Sequence, residues 1–123
     1  MTRLYLTGAI VAICLLIACD TQNVTTASPG SDTLAPTISV NGLTNNATVS
    51  GTININASAS DDIGVTSFTM RFDGALLASA TSGFINYSWD TTGVSNGAHT
   101  FSFEARDAAA NSTTSTFTVT VNN

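Results

Sequence analysis

The stretch "GTININASAS", Gly51 to Ser60, alternates without a break: Ile53, Ile55, Ala57 and Ala59 fall on one side, and Thr52, Asn54, Asn56 and Ser58 on the other. A period of two marks a β-strand with one face buried and the other in water. Working outward, the same alternation puts Phe68, Met70 and Phe72 on one face of "TSFTMRFD" (66–73), and Ile85, Tyr87 and Trp89 on one face of "FINYSWD" (84–90). It recurs with Phe101, Phe103 and Ala105 in "HTFSFEAR" (99–106), and with Phe117, Val119 and Val121 in the last strand. Shorter candidates are "TISV" (37–40), "ATVS" (47–50) and "ALLASA" (75–80). Asp73-Gly74 predicts a tight hairpin, because glycine takes positive φ freely and aspartate tolerates it. Asp61-Asp62-Ile63-Gly64, Asn96-Gly97 and "DAAAN" (107–111) separate other strands. Strands recurring every 8–12 residues or so, with no helical period between them, predict an all-β fold of two antiparallel sheets packed face to face.

Length limits the chain to one such domain: it has 123 residues, and domains typically run to about 100–150. Eight Asp and Glu stand against three Arg and no Lys, for a formal net charge of −5. Nucleic acid is bound through Lys and Arg, so it is excluded as a partner class. Solubility rests instead on Ser, Thr and Asn, a surface suited to an extracytoplasmic setting.

Residues 1–18 read as a targeting segment. Arg3 is the charged start, about Leu4 to Ile17 the apolar core, and Ala18 the small residue before a cut. The apolar run is shorter than the ~20 residues that span a bilayer, which disfavours the alternative of an uncleaved anchor helix. Leu16-Ile17-Ala18-Cys19 resembles the lipobox of bacterial lipoproteins. The resemblance implies a diacylglyceryl group on the Cys19 thiol and cleavage before that residue. Cys14 would leave with the leader, so the mature chain has no disulfide. Asp20 resembles the signal that retains enterobacterial lipoproteins in the inner membrane. From 19 to 35 the composition turns to Thr, Ser, Asn, Gly and Pro without apolar periodicity, which predicts a disordered polar linker. The folded domain is expected over 36–123.

That domain resembles the single immunoglobulin-like modules of bacterial surface and secreted proteins, a group close to fibronectin type III domains. The carriers are "APTISV", "TVSGTININASASDDIGV", "SWDTTGVSNGAHTFSFEARDAAAN" and "TFTVTV". Trp89-Asp90-Thr91-Thr92 and Asn96-Gly97 with His99 keep the family's corner and strand-entry motifs. Ala110 stands where its last turn usually has glycine, which puts the left-handed geometry of that turn in doubt. The resemblance implies an immunoglobulin-like antiparallel β-sandwich of about seven strands, with a spacer, adhesion or protein-contact role.

The candidate chemistry is thin. His99 is the sole histidine, with no nucleophile or ligand set in its motif, and is read as structural. Asp61 and Asp62, with Asp107 and Asn111, lie on two loops that share one end of an immunoglobulin-like sandwich, so their oxygens could converge on Ca²⁺, which takes six to eight such ligands. The simpler and favoured reading is that these residues end strands by bonding their own backbone. Trp89 and Tyr87 could stack on a sugar, although the face they share with Ile85 places them in the core. Asn-x-Ser/Thr triplets, at Asn23, Asn46, Asn56, Asn86 and Asn111, follow from composition. The expected function is a non-enzymatic envelope lipoprotein, held to the membrane by its N-terminal lipid, whose domain contacts an envelope protein or surface. The alternative is a carbohydrate-binding envelope lipoprotein.

Overall fold

The computed structural model describes residues 32–123. The leader, Cys19, Asp20 and all but the end of the 19–35 linker lie outside the described residues. Eight strands are found among the described residues: β1 Thr37–Asn41, β2 Ala47–Val49, β3 Thr52–Ser60, β4 Val65–Phe72, β5 Ala75–Ala80, β6 Phe84–Asp90, β7 Gly97–Asp107 and β8 Ser112–Val121. They make two sheets, ordered β1-β3-β6 and β2-β8-β7-β4-β5. Thr33–Asn123 forms one compact unit.

Each alternating stretch became a strand with its apolar side inward. Ile55 and Ala57 of β3 meet Phe68 and Met70 of β4, Phe101, Phe103 and Ala105 of β7, and Val119 and Val121 of β8 in one buried cluster. Burying each large side chain is worth about 1.5–3 kcal/mol before entropy, so this cluster supplies the main force holding the sheets together. The Asp73-Gly74 hairpin closes as its residues dictate: Phe72 pairs with Ala75, and both loop residues have positive φ, 49° and 88°. That is the twist-matched two-residue turn.

One ladder departs from the all-antiparallel expectation. β2 runs parallel to β8, Ala47 opposite Val119 and Val49 opposite Val121. Period-two alternation reads the same in either direction, and three residues are too few to reveal which applies. The chain leaves one sheet for the other between β1 and β2. Gly42, at φ 96°, begins that crossing, and a Cβ on it would run into the backbone carbonyl oxygen of Asn54 in β3.

Candidate functional site

The two loops carrying the acidic candidates do lie at one end of the domain, since Val65 pairs with Asp107. Their side chains are turned to local work. Asp107 is buried; its Oδ1 accepts from the Ala109 and Asn111 N–H groups at 2.8 and 2.9 Å, and its Oδ2 from Asn111 Nδ2 at 2.8 Å. Asp61 Oδ2 accepts from the Ile63 and Gly64 N–H groups, both at 3.1 Å. Asp61 Oδ1 is buried with no hydrogen-bond partner among the described residues. Beside it lies a shallow cavity of about 370 Å³, which Asp61 and Asp62 line and Asp107 and Asn111 do not. The four candidate ligands therefore share an end of the sandwich but not a cavity.

His99 is held between two acceptors. Its Nδ1 lies 2.7 Å from Asp73 Oδ2 and its Nε2 2.8 Å from the Ser95 carbonyl, while the ring stacks on Phe72 at 5.2 Å. Neutral imidazole has a single N–H, so only the imidazolium satisfies both contacts. The Asp73 hydrogen bond, with that to Ser95, accordingly holds the His99 pKa above its ordinary 6.5. Burial pushes Asp73 upward, but the His99 hydrogen bond, the Thr100 N–H and the imidazolium charge outweigh it and leave Asp73 below its ordinary 3.8.

Trp89 lies in the core, as the face it shares with Ile85 implies, and the alternative of a sugar platform there is ruled out by its burial. Trp89 is 5% exposed and packs edge-on to Phe101 at 4.8 Å and against Phe72 at 5.3 Å. A ring buried to that degree against two aromatic side chains of the opposite sheet is not available to stack on a ligand. Tyr87 is half-buried against the same core. The reverse face of that sheet, to which the sequence reading gave no role, is exposed throughout and, apart from Phe84, polar. The register aligns Asn41 of β1 with Asn56 of β3 and Asn86 of β6. Next to this row Asn54 faces Ser88 on one side, and Ser39, Ser58 and Phe84 line up on the other. The signal was present in sequence as the outward asparagines of "TININ", but only pairing reveals the row.

Residues 36–102, more than half of the chain, match the family model described as "Bacterial Ig domain". The chain belongs to this family. The strands of this bacterial Ig domain continue past the matched segment to Val121. No curated protein matches it in sequence. Its fold is similar to part of an endo-beta-1,4-mannanase from Thermotoga petrophila, with TM-score 0.60 and 16% identity, covering 76% of this chain and 21% of the other. It is also similar to the fibronectin(III)-like modules of Clostridium thermocellum CbhA, with TM-score 0.55 and 22% identity, covering 73% of this chain and 48% of the other. This bacterial Ig domain thus spans about a fifth of the first chain and half of the second. In its Trp89-Asp90-Thr91-Thr92 corner, Asp90 Oδ1 caps the short 3-10 turn Thr91–Gly93 by accepting from the Thr92 N–H at 2.9 Å. That bond and a second from the Thr92 hydroxyl hold the Asp90 pKa below its ordinary value. Thr91 is buried, and its hydroxyl shares its one proton between Asn123 Oδ1 at 2.7 Å and the Gly51 carbonyl at 3.0 Å.

Proposed function

We propose that this chain is a non-enzymatic, lipid-anchored protein of the bacterial envelope whose Ig domain makes contacts with protein or surfaces. The observation that carries the reading is the use of the carboxylates. Asp61, Asp73, Asp90 and Asp107 each accept a backbone N–H in or beside a turn, so these four carboxylates are used in shaping loops, which supports a structural module over a catalytic one. Membership of the bacterial Ig family supports a binding module, and the lipobox-like Leu16–Cys19 supports the anchor. The carbohydrate-binding alternative is favoured by one feature, the outward face of β1-β3-β6, whose sole charged side chain is Asp90 at its end. In-situ cross-linking of the full chain in its native membrane tests the contact reading. Discrete adducts to envelope protein or wall material are expected. A chain that forms no adduct, or that turns over substrates when purified, would remove the reading.

A further inference from the structure

We propose that the outer face of the β1-β3-β6 sheet docks a neutral polysaccharide, gripped by the amides of Asn41, Asn56 and Asn86 and flanked by Phe84. This rests on the contact-module reading and names its partner. Asparagine is depleted in strands, where threonine or valine fits the pleat better. Yet Asn41, Asn54, Asn56 and Asn86 all sit within strands, and all face outward. Asparagines in this domain's loops have an architectural return: Asn45 Oδ1 accepts from the Thr118 N–H at 2.8 Å and Asn96 Oδ1 from the Asn123 N–H at 2.9 Å. No described residue hydrogen-bonds the amide side chains of the four strand asparagines. Residues that break a local rule without structural compensation mark function.

The geometry suits a sugar chain. Asn41, Asn56 and Asn86 form a transverse row, one from each strand, at a strand spacing of about 4.8 Å. Each amide offers both donors and an acceptor, the complement of a pyranose hydroxyl, which also does both. A groove of about 480 Å³ runs over β3 and β6, lined on this face by Asn54, Asn56, Asn86 and Ser88. One row away, Phe84 is 53% exposed and presents an apolar ring for the C–H face of a sugar. The charge pattern selects among polymers. Asp90, at the far end, is the sole charged side chain on the three strands' outer face, and its carboxylate already accepts from Thr92. An acidic polysaccharide would find no cation there, and in a chain of net charge −5 it would be repelled. A protein partner would call for several buried anchors such as Trp, Tyr or Arg, whereas this face has Phe84 alone.

The test uses the full chain in detergent, titrated calorimetrically with mannohexaose, xylohexaose and cellohexaose, and with hexagalacturonate as the acidic control. At least one neutral oligosaccharide should bind and the acidic one should not. The double variant Asn56→Thr/Asn86→Thr should lose about tenfold in affinity, the scale of two hydrogen bonds, with its melting temperature held or raised. Phe84→Ser should weaken binding separately. Absence of neutral binding, equal binding of hexagalacturonate, or unchanged affinity in the double variant would overturn the proposal. So would an intact mass showing a glycan already attached at Asn56 or Asn86, since the face would then carry sugar rather than bind it. If no sugar binds while cross-linking still captures an envelope protein, the glycan inference falls and the contact reading stands.

Discussion

Both ring nitrogens of His99 face acceptors, which favours the imidazolium over the neutral ring and ties the stability of the β4–β5 hairpin to pH. A folded-state pKa raised above 6.5 contributes stability that is complete below that value and lost as pH rises through the raised pKa. Asp73, lowered from 3.8, contributes above that value and loses its share as pH falls through the lowered pKa. The two contributions are therefore both complete between 3.8 and 6.5. The other elements packed on the ring bring Phe72, Ser95 and Val119, none of which titrates. The His99 side chain is 11% exposed but that of Asp73 is 46% exposed, so water screens the pair and its worth is about 1 kcal/mol or less. The melting temperature should fall by a few degrees from pH 6 to pH 9. In Asp73→Asn, which keeps a residue tolerant of positive φ, and in His99→Gln, that fall should be absent. A wild-type slope unchanged in both variants, read by circular dichroism melts, would dissociate the pair from the pH response.

The β7–β8 turn shows an element holding its shape against its own sequence. Ala110 adopts φ 71°, the left-handed conformation that costs a non-glycine residue about 1–2 kcal/mol. Asp107 supports it, with three hydrogen bonds onto residues 109 and 111 from a buried carboxylate. Ala110→Gly should relieve more strain than it adds in unfolded-chain entropy, a net gain of about 0.5–1 kcal/mol and a melting temperature a few degrees higher. A lower one would mean that Ala110 is unstrained there. Alanine in place of the family's usual glycine argues against this left-handed geometry; the Asp107 hydrogen bonds, with the pairing of Arg106 and Ser112 that closes the turn, hold it regardless. What was legible elsewhere follows the same division. The inward residues of β3, β4, β6, β7 and β8, and the Asp73-Gly74 turn, could be read directly, because alternation and turn chemistry are local. The parallel β2–β8 ladder, the need for glycine at 42 and the amide row could not. Each depends on a segment remote in sequence: β8 for the first, the Asn54 carbonyl for the second, and the register of three strands for the third. Trp89 was legible as core from its neighbours on "FINYSWD", and the aromatic contacts from the opposite sheet decide it against a ligand platform.

At the scale of the whole molecule, the charge inventory constrains how the proposed envelope protein stays at a membrane. Attraction to anionic lipid comes from clustered Lys and Arg, each worth about 1 kcal/mol. This chain has no Lys, and beyond its first eighteen residues it has only Arg71 and Arg106. Arg106 is, moreover, paired to Glu104 at 2.7 Å. Electrostatics offers no foothold, so the proposed residence at a bilayer would rest on apolar insertion. One acyl chain holds only marginally, whereas two, at about 0.8 kcal/mol per buried CH₂, hold firmly. The diacylglyceryl group proposed on Cys19 supplies two. Three results should then go together in native membranes: high salt leaves the protein bound, mild alkaline hydrolysis of the acyl esters releases it, and the released chain keeps its melting temperature. Intact mass should begin at a lipidated Cys19, and Cys19→Ser should accumulate as a precursor heavier by residues 1–18. Release by salt alone, or a native product with a bare thiol and its leader still attached, would break the link between this sequence and the membrane.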